Sequence, residues 1–279
     1  MTEGFQYLGC VGHSNNMVGM PTAMLTNAEF NDYPKPIRIS GVREMNRNLF
    51  EMLGQAESRE EAAEAFYSYM IAMFAIEPEQ WEQPRKDSGQ TPGPSMRFRS
   101  SYLRLLRGWG YDSSGSEGAV LKGWVESRFG IPPLYHKEPI RSYNDAAWMD
   151  YTEQKMNSRF HNNAIHTQLD ILYEFCQWQF ETFADPDRTH ITLYRGTNLP
   201  DGALIALPDG KGKLLRLNNL VSFSGDRDVA SCFGDLIVTA RIPRCKILFF
   251  NALLPVHPLR GENEYLVIGG DYHVETGIL

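Results

Sequence analysis

The sequence changes its periodicity near residue 188, and this change limits the folds that the chain can adopt. Before that point apolar residues recur at helical spacing, whereas after it short apolar runs alternate with turn residues. Because no helix of crossover length separates most of these runs, we expect an antiparallel sheet, sandwich-like in form, rather than a doubly wound one. The sequence predicts an α+β fold. A helical region over 1–187 packs on a β-rich region over 188–279, and the two form one compact unit.

Capping and stop signals divide the first region into helices. Ser58 and Glu61 form a capping box, since the Ser58 hydroxyl can accept from the Glu61 amide while the Glu61 side chain reaches back. Pro34 and Pro36 preclude a regular helix around them. The predicted helices run from Ser58 towards Pro78, over Arg97–Arg107 ended by Gly108, over Ser116–Phe129 with Ser116 as N-cap, and over 144–184 as two helices that break near Asn162-Asn163.

Short strands are predicted throughout the second region, each an apolar run bounded by turn residues. Pro-Asp-Gly turns at 200–202 and 208–210 separate some of them. The predicted strands are Ile191–Tyr194, Ala203–Leu207, Lys213–Leu217, Leu220–Ser224, Leu236–Ile242, Lys246–Phe250, Tyr265–Ile268 and Tyr272–Glu275.

Net charge and hydropathy limit the classes of binding partner and the cellular compartment that we expect for this chain. With 27 Lys and Arg against 34 Asp and Glu, the formal charge is −7. A chain without cationic excess is poorly suited to nucleic acid or an anionic membrane, because that binding depends on counterion release. The N-terminus, MTEGFQYLGC, lacks the parts of a secretory signal, and the most apolar stretch, Ile247–Leu254, is too short to cross a bilayer. We therefore expect a cytoplasmic protein.

Common metal, redox and nucleotide motifs are missing from the sequence. His161 and His166 are five residues apart and fall on different helix faces, so no metal site is predicted. Gly210-Lys211-Gly212-Lys213 lacks the Walker spacing, and no G-x-G-x-x-G follows a strand. A bound nucleotide must therefore be held in another way. The cysteines form no C-x-x-C pair and are expected to be reduced; they are Cys10, Cys176, Cys232 and Cys245.

Three polar fragments interrupt the apolar strands. Arg195 ends the first strand, and its guanidinium could hold phosphate oxygens, although an isolated strand-end arginine is more often a surface residue. Ser222 and Ser224 fall on one face of a strand and Phe223 on the other, a pattern that a strand edge can also explain. Glu262 and Glu264 stand on one side of an extended segment, roughly 7 Å apart, unless they belong to a solvated turn.

Taken in the order Arg, Ser-x-Ser, Glu-x-Glu, the fragments resemble the R-S-E signature of arginine-specific mono-ADP-ribosyltransferases. Flanking sequence narrows the resemblance to the dinitrogenase-reductase ADP-ribosyltransferases, which modify an arginine of the nitrogenase iron protein. The similar stretches are FNDYPKPIRISGVREMNRNLFEML, SFSGDRDVASCFGD and KILFFNALLPVHPLRGENEYLVIGGDYHV, and the resemblance covers nearly the whole chain. Phe223 departs from the Ser-Thr-Ser that the broad superfamily usually has.

The resemblance implies an ADP-ribosyltransferase fold and NAD as substrate. Glu264 would be the transferase glutamate, Ser222 would hydrogen-bond it, and Glu262 would orient the target arginine. Arg195 would hold the NAD phosphates or the adjacent ribose, and Gly196 would let backbone approach the nicotinamide amide. Further NAD-binding candidates are Ser224 and, as the aromatic that stacks on nicotinamide, either Phe223 or Phe233.

The same resemblance implies partners and leaves alternatives open. The expected target is the nitrogenase iron protein, inactivated according to nitrogen or energy status. The helical region would select the target and could also meet a trimeric nitrogen-signalling protein. An NAD glycohydrolase, an arginine transferase with another target, and a non-catalytic signalling module remain the alternatives.

Overall fold

The structure, a computed structural model, describes residues 16–76, 100–157, 160, 164–198, 204–206, 213–259, 261 and 263–278. Most of the helices precede the main sheet along the chain. The helices are α1 (Thr22–Leu25), α2 (Ala28–Asp32), α3 (Val42–Met45), α4 (Arg47–Leu53), α5 (Arg59–Phe74), α6 (Tyr102–Tyr111), α7 (Ser116–Phe129), α8 (Ala146–Lys155), α9 (Ile165–Phe183) and α10 (Arg227–Ser231).

The described strands form a two-stranded hairpin and one larger sheet, and every described pairing is antiparallel. The strands are β1 (Tyr135–His136), β2 (Glu138–Pro139), β3 (His190–Thr197), β4 (Leu204–Ala206), β5 (Lys213–Ser224), β6 (Leu236–Pro243), β7 (Ile247–Phe250) and β8 (Glu264–Ile278). In the larger sheet β3 pairs with β5 and β6, and β8 pairs with β5, β6 and β7. The predicted α+β class with a mainly antiparallel sheet is confirmed.

Two of the predicted strand breaks are wrong, because each break lies inside one continuous strand. β5 runs through Asn218-Asn219 and β8 runs through Gly269-Gly270, with a register shift between Leu217 and Leu220. The two irregularities face each other: a Cβ on Gly269 would lie 1.7 Å from the Asn218 carbonyl oxygen. Polar and glycine residues that resemble turns in the sequence therefore mark a bulge where the two strands pair.

The predicted helices are largely confirmed, with differences at α6 and α7. Ser58 caps α5 by accepting from the Glu61 amide at 3.1 Å. The two helices predicted over 144–184 are α8, which ends at Lys155, and α9, which begins at Ile165. The helix predicted over Arg97–Arg107 instead begins at Tyr102, with Ser101 as its N-cap, and continues to Tyr111. Gly108 is needed inside it because a Cβ there would lie 2.4 Å from the Glu117 side chain. α7 begins at Ser116, with Gly115 rather than Ser116 as its N-cap.

The longest helix, α9, joins the helical region to the sheet. Most of its residues are buried, and α9 packs against β7. Tyr173 on α9 donates its hydroxyl proton to the carbonyl of Cys245 at 2.8 Å, and Gln177 donates to the carbonyl of Ile247 at 2.9 Å. A single cluster of buried apolar residues includes side chains from both regions. Burial of this shared apolar surface is the main force that holds the helices on the sheet.

A buried lysine leads to the first testable prediction. Lys246 is 0% exposed and donates to the carbonyls of Leu25 and Gly269. Burial lowers the pKa of Lys246 from its ordinary value of 10.5 to about 8. Between these two pH values the unfolded chain keeps a proton that the folded chain has released, so the free energy of unfolding should rise with pH.

We expect Lys246→Met to remove this contribution, which amounts to about 3 kcal/mol across the window. Denaturant unfolding at several pH values between 8 and 10.5 would measure the difference between wild type and variant. The exposed Lys35→Met is the control for loss of a lysine. A difference between wild type and Lys246→Met that stays constant with pH would contradict the prediction.

Within the part of the chain that the structure describes, no helix combines the length and apolarity needed to cross a membrane. The described cysteines are free thiols: Cys176 and Cys245 are buried, and Cys232 is exposed.

Candidate active site

Two neighbouring strands bring Ser222 and Glu264 together. Ser224 on β5 pairs directly with Glu264 on β8, and Ser222 precedes Ser224 by two residues, so all three side chains lie on one face of the sheet. The Ser222 hydroxyl donates to Glu264 Oε1 at 2.7 Å. This is the contact that the family resemblance implies, and it joins residues that are 42 positions apart in the sequence.

The second carboxylate oxygen of Glu264 is held by the loop that precedes β8. Gly261 donates its amide to Glu264 Oε2 at 3.4 Å, and the Glu264 amide donates to the Gly261 carbonyl at 3.2 Å. Buried Asn251 holds this loop in turn, because its side-chain amide donates to the carbonyls of Leu259 and Gly261. Donors on both oxygens fix the orientation of a carboxylate that is only half-buried.

Arg195 reaches the same place from β3. It lies one residue beyond Tyr194, which pairs with Ser224, and its Nη1 donates to the Ser222 carbonyl at 2.6 Å. Burial lowers the pKa of Arg195 below its ordinary value, and the carboxylate of Glu264 acts against this shift. The structure therefore brings the guanidinium, the hydroxyl and the carboxylate of the predicted signature into one site.

Ser224 and Gly196 have structural explanations in addition to the predicted ones. Ser224 is 9% exposed, and its hydroxyl accepts from the Asp226 amide at 3.0 Å at the start of α10. A Cβ on Gly196 would lie 1.9 Å from the carbonyl oxygen of Ala230, so α10 can pack this closely on β3 only at a glycine.

The two aromatic candidates have opposite surroundings. Phe223 is 2% exposed and belongs to the apolar core, which explains what fills the face opposite the serines. Phe233 is 71% exposed and follows α10. Because a ring must be accessible to stack on a ligand, the exposure of Phe233 suits the predicted stacking role and the burial of Phe223 does not. Glu262 lies outside the described residues, so its role stays a prediction.

One contact of the site was missed by the sequence analysis. Trp109 on α6 donates its indole N–H to Ser222 Oγ at 2.8 Å. The predicted helix ended before Gly108, so the sequence placed Trp109 outside it, whereas in the structure Trp109 lies on the buried face of α6 with Tyr102 and Leu105. Only its position beside β5 in the folded chain indicates a different role.

The arrangement is suited to one kind of chemistry. A half-buried carboxylate with a fixed orientation can stabilise positive charge that develops on a nearby sugar carbon. A guanidinium beside it can pair with phosphate oxygens. Both features match the needs of breaking the bond between nicotinamide and ribose.

Comparison with known proteins agrees with this chemistry. The family model described as dinitrogenase reductase ADP-ribosyltransferase matches residues 15–276. A protein of Rhodospirillum rubrum, named NAD(+)--dinitrogen-reductase ADP-D-ribosyltransferase, is 56% identical over 270 residues, which cover 96% of each chain. The chain belongs to the dinitrogenase reductase ADP-ribosyltransferase family. The family resemblance inferred from the sequence is thereby confirmed.

Membership of the dinitrogenase reductase ADP-ribosyltransferase family covers the helical region as well as the sheet, since the matched span begins before α1 and ends in β8. The name of the Rhodospirillum relative gives NAD(+) as its substrate and dinitrogen reductase as the protein on which it acts. No solved structure matches this chain.

Proposed function

We propose that this chain is a cytoplasmic enzyme that transfers ADP-ribose from NAD to an arginine of the nitrogenase iron protein, inactivating it in response to nitrogen or energy status. The observation that carries the proposal is the hydrogen bond of 2.7 Å between Ser222 and Glu264, beside Arg195, in a chain 56% identical to a named transferase. Family membership across nearly the whole chain supports the choice of substrate and target.

In the proposed reaction the bond between ribose C1′ and the nicotinamide nitrogen breaks first, and nicotinamide leaves with the electron pair. The ribose develops an oxocarbenium-like positive charge, which the Glu264 carboxylate stabilises most strongly in the transition state. Ser222 and the Gly261 amide keep the carboxylate in place during this step. The guanidine nitrogen of the target then bonds to C1′ and loses a proton.

Arg195, Gly196 and Phe233 form the proposed NAD-binding surface. The guanidinium of Arg195 would pair with a phosphate or hydrogen-bond the adjacent ribose, which would relieve part of the cost of its burial. Gly196 would allow close approach of the backbone to the nicotinamide amide, with the ring stacked on Phe233. We propose that the antiparallel strands form the sandwich of the ADP-ribosyltransferase fold around this surface.

The helical region over 1–187 is proposed to select the target and to meet a trimeric nitrogen-signalling protein, while 188–279 forms the NAD-binding catalytic core. The apolar cluster shared by the helices and the sheet supports a single compact unit. A partner bound on the helices would then act on a body that is continuous with the sheet.

Incubation with labelled NAD and purified nitrogenase iron protein, followed by peptide mapping, tests the proposed function. We expect label on one arginine and release of one nicotinamide for each ADP-ribose transferred. Nicotinamide release without labelled protein would indicate a glycohydrolase. If the chain neither binds NAD nor releases nicotinamide, it is a non-catalytic module.

Glu262→Gln separates transfer from hydrolysis. Glu262 would orient the arginine and accept its proton, so the variant should lose about 100-fold in transfer to arginine and much less in the slow hydrolysis of NAD, where water is the acceptor. Both activities are measured in one preparation, which makes hydrolysis the internal control. Equal losses of the two activities would argue against a role for Glu262 in handling the guanidinium.

A further inference from the structure

We propose that Trp109 is a positioning residue for the catalytic glutamate and acts through Ser222. Three side chains form a chain of hydrogen bonds: the Trp109 indole N–H donates to Ser222 Oγ at 2.8 Å, and Ser222 Oγ donates to Glu264 Oε1 at 2.7 Å. This inference rests on the proposed function, since it assigns Trp109 a part in the same site.

The direction of these bonds follows from the chemistry of the groups. An indole N–H can only donate, an ionised carboxylate can only accept, and a serine hydroxyl has one proton and two lone pairs. Because Trp109 occupies an acceptor position of the Ser222 hydroxyl, it favours the rotamer in which the single proton points at Glu264. A hydroxyl without such a neighbour could turn its proton towards water or another acceptor.

The indole ring is itself firmly held. Trp109 is 4% exposed and belongs to the apolar core, and the Lys122 ammonium lies 5.9 Å from its ring centroid. Its helix, α6, packs against α7 and α9. Reorienting the N–H would require the ring to leave a closely packed environment, so the donor is preorganised for the hydroxyl.

The contact makes the helical region part of the active site. Ser222 and Glu264 are supplied by the sheet, whereas Trp109 comes from a helix that precedes β5 by about a hundred residues in the sequence. A displacement of α6 would therefore change the hydrogen bonding of Glu264 even if the sheet did not move.

Trp109→Phe removes the N–H and keeps most of the ring. We expect kcat for ADP-ribose transfer to fall about tenfold, the usual effect of one lost hydrogen bond that acts in the transition state. The KM for NAD should change much less than kcat, because Trp109 is only 4% exposed and its indole N–H is directed at Ser222. If the wild type is active and Trp109→Phe has the same kcat, this inference is overturned while the proposed function stands.

Trp124→Phe is the matched control. Trp124 is also buried in the core, and its indole N–H donates to Asp170 Oδ1 at 2.7 Å. Asp170 keeps its bonds to Arg128 when the indole is removed. Trp124→Phe loses a comparable indole hydrogen bond away from the site. It should therefore lose at least as much thermal stability as Trp109→Phe, while its kcat stays at the wild-type value. Equal losses of kcat in the two variants would overturn the assignment.

A double-mutant cycle with Ser222→Ala tests whether Trp109 acts through the hydroxyl. In the Ser222→Ala background, Trp109→Phe should cause no further loss of kcat, because the bond that it removes is already gone. Independent, multiplying losses would overturn the inference. A wild-type chain that neither transfers ADP-ribose nor releases nicotinamide would overturn the proposed function and this inference together.

If Trp109→Phe does not fold, hydrogen exchange of the indole N–H groups can be measured instead, by NMR of the ¹⁵N-labelled protein. Hydrogen exchange of the Trp109 N–H should be slow in the wild type and at least about tenfold faster in Ser222→Ala, while that of Trp124 stays unchanged. A Trp109 N–H that remains equally protected in Ser222→Ala would overturn the contact on which the inference depends.

Discussion

Glu264→Gln is expected to lower the rate of ADP-ribose transfer by about 1000-fold while the protein stays folded. The amide is nearly isosteric with the carboxylate and can still accept from Ser222, but it carries no charge to oppose the one that develops on the ribose. The loss should appear in kcat for transfer and for NAD hydrolysis alike, because both reactions break the same bond. Nicotinamide release and protein labelling would measure the two rates.

Glu275→Gln is the control for this change. Glu275 lies on the same strand, β8, and is exposed, so the variant loses the same charge at a position away from the site. It should keep wild-type activity and stability. Full transfer activity in Glu264→Gln, or an equal loss in both variants, would refute the role assigned to Glu264.

Gly269→Ala is expected to destabilise the fold by about 3 kcal/mol and to lower the melting temperature by roughly 10 °C. The new Cβ would lie 1.7 Å from the Asn218 carbonyl oxygen and 2.6 Å from its carbonyl carbon. Both atoms belong to the backbone of β5, so the clash can be relieved only by moving one strand of the pair. Thermal and denaturant unfolding would measure the loss.

Gly54→Ala provides the comparison, because the same substitution makes only ordinary van der Waals contacts there. Gly54 is exposed at the end of α4 with φ near −65°, and the nearest atom to its Cβ would be 3.4 Å away. The change should be neutral or stabilise the fold by about 0.5 kcal/mol. A Gly269→Ala variant as stable as Gly54→Ala would show that the bulge is not as closely packed as described.

Local signals in the sequence were sufficient for some helix ends. The hydroxyl of Ser58 and the left-handed backbone of Gly130 involve only neighbouring residues, so the start of α5 and the end of α7 could be predicted from a few letters. The same reasoning failed at Gly108, where the need for glycine arises from Glu117 on the next helix. It failed again at Asn218 and Gly269, which looked like separate turns because their pairing was unknown.

Some features of the candidate site could also be predicted from the sequence, and others could not. The order of Arg195, Ser222 and Glu264 could be recognised in the sequence, and alternation along one strand placed Ser222 opposite Phe223. The aromatic residue could not be chosen from the sequence, because the choice between Phe223 and Phe233 depends on which of them the core buries. Trp109 gave no signal, because the predicted helix ended before it and a tryptophan looks the same in the sequence whether or not its N–H has a partner on a distant strand.

The sequence by itself determined the family, the α+β class, the presence of the longer helices and the order of the signature residues, because these depend on residue identity and on neighbours within a few positions. Only the tertiary structure decided the continuity of β5 and β8, the burial of Phe223 and the bond from Trp109 to Ser222. Each of these is a contact between segments far apart in the chain. Such contacts form only when burial of the shared core brings the segments together, and no local pattern records which segments will meet.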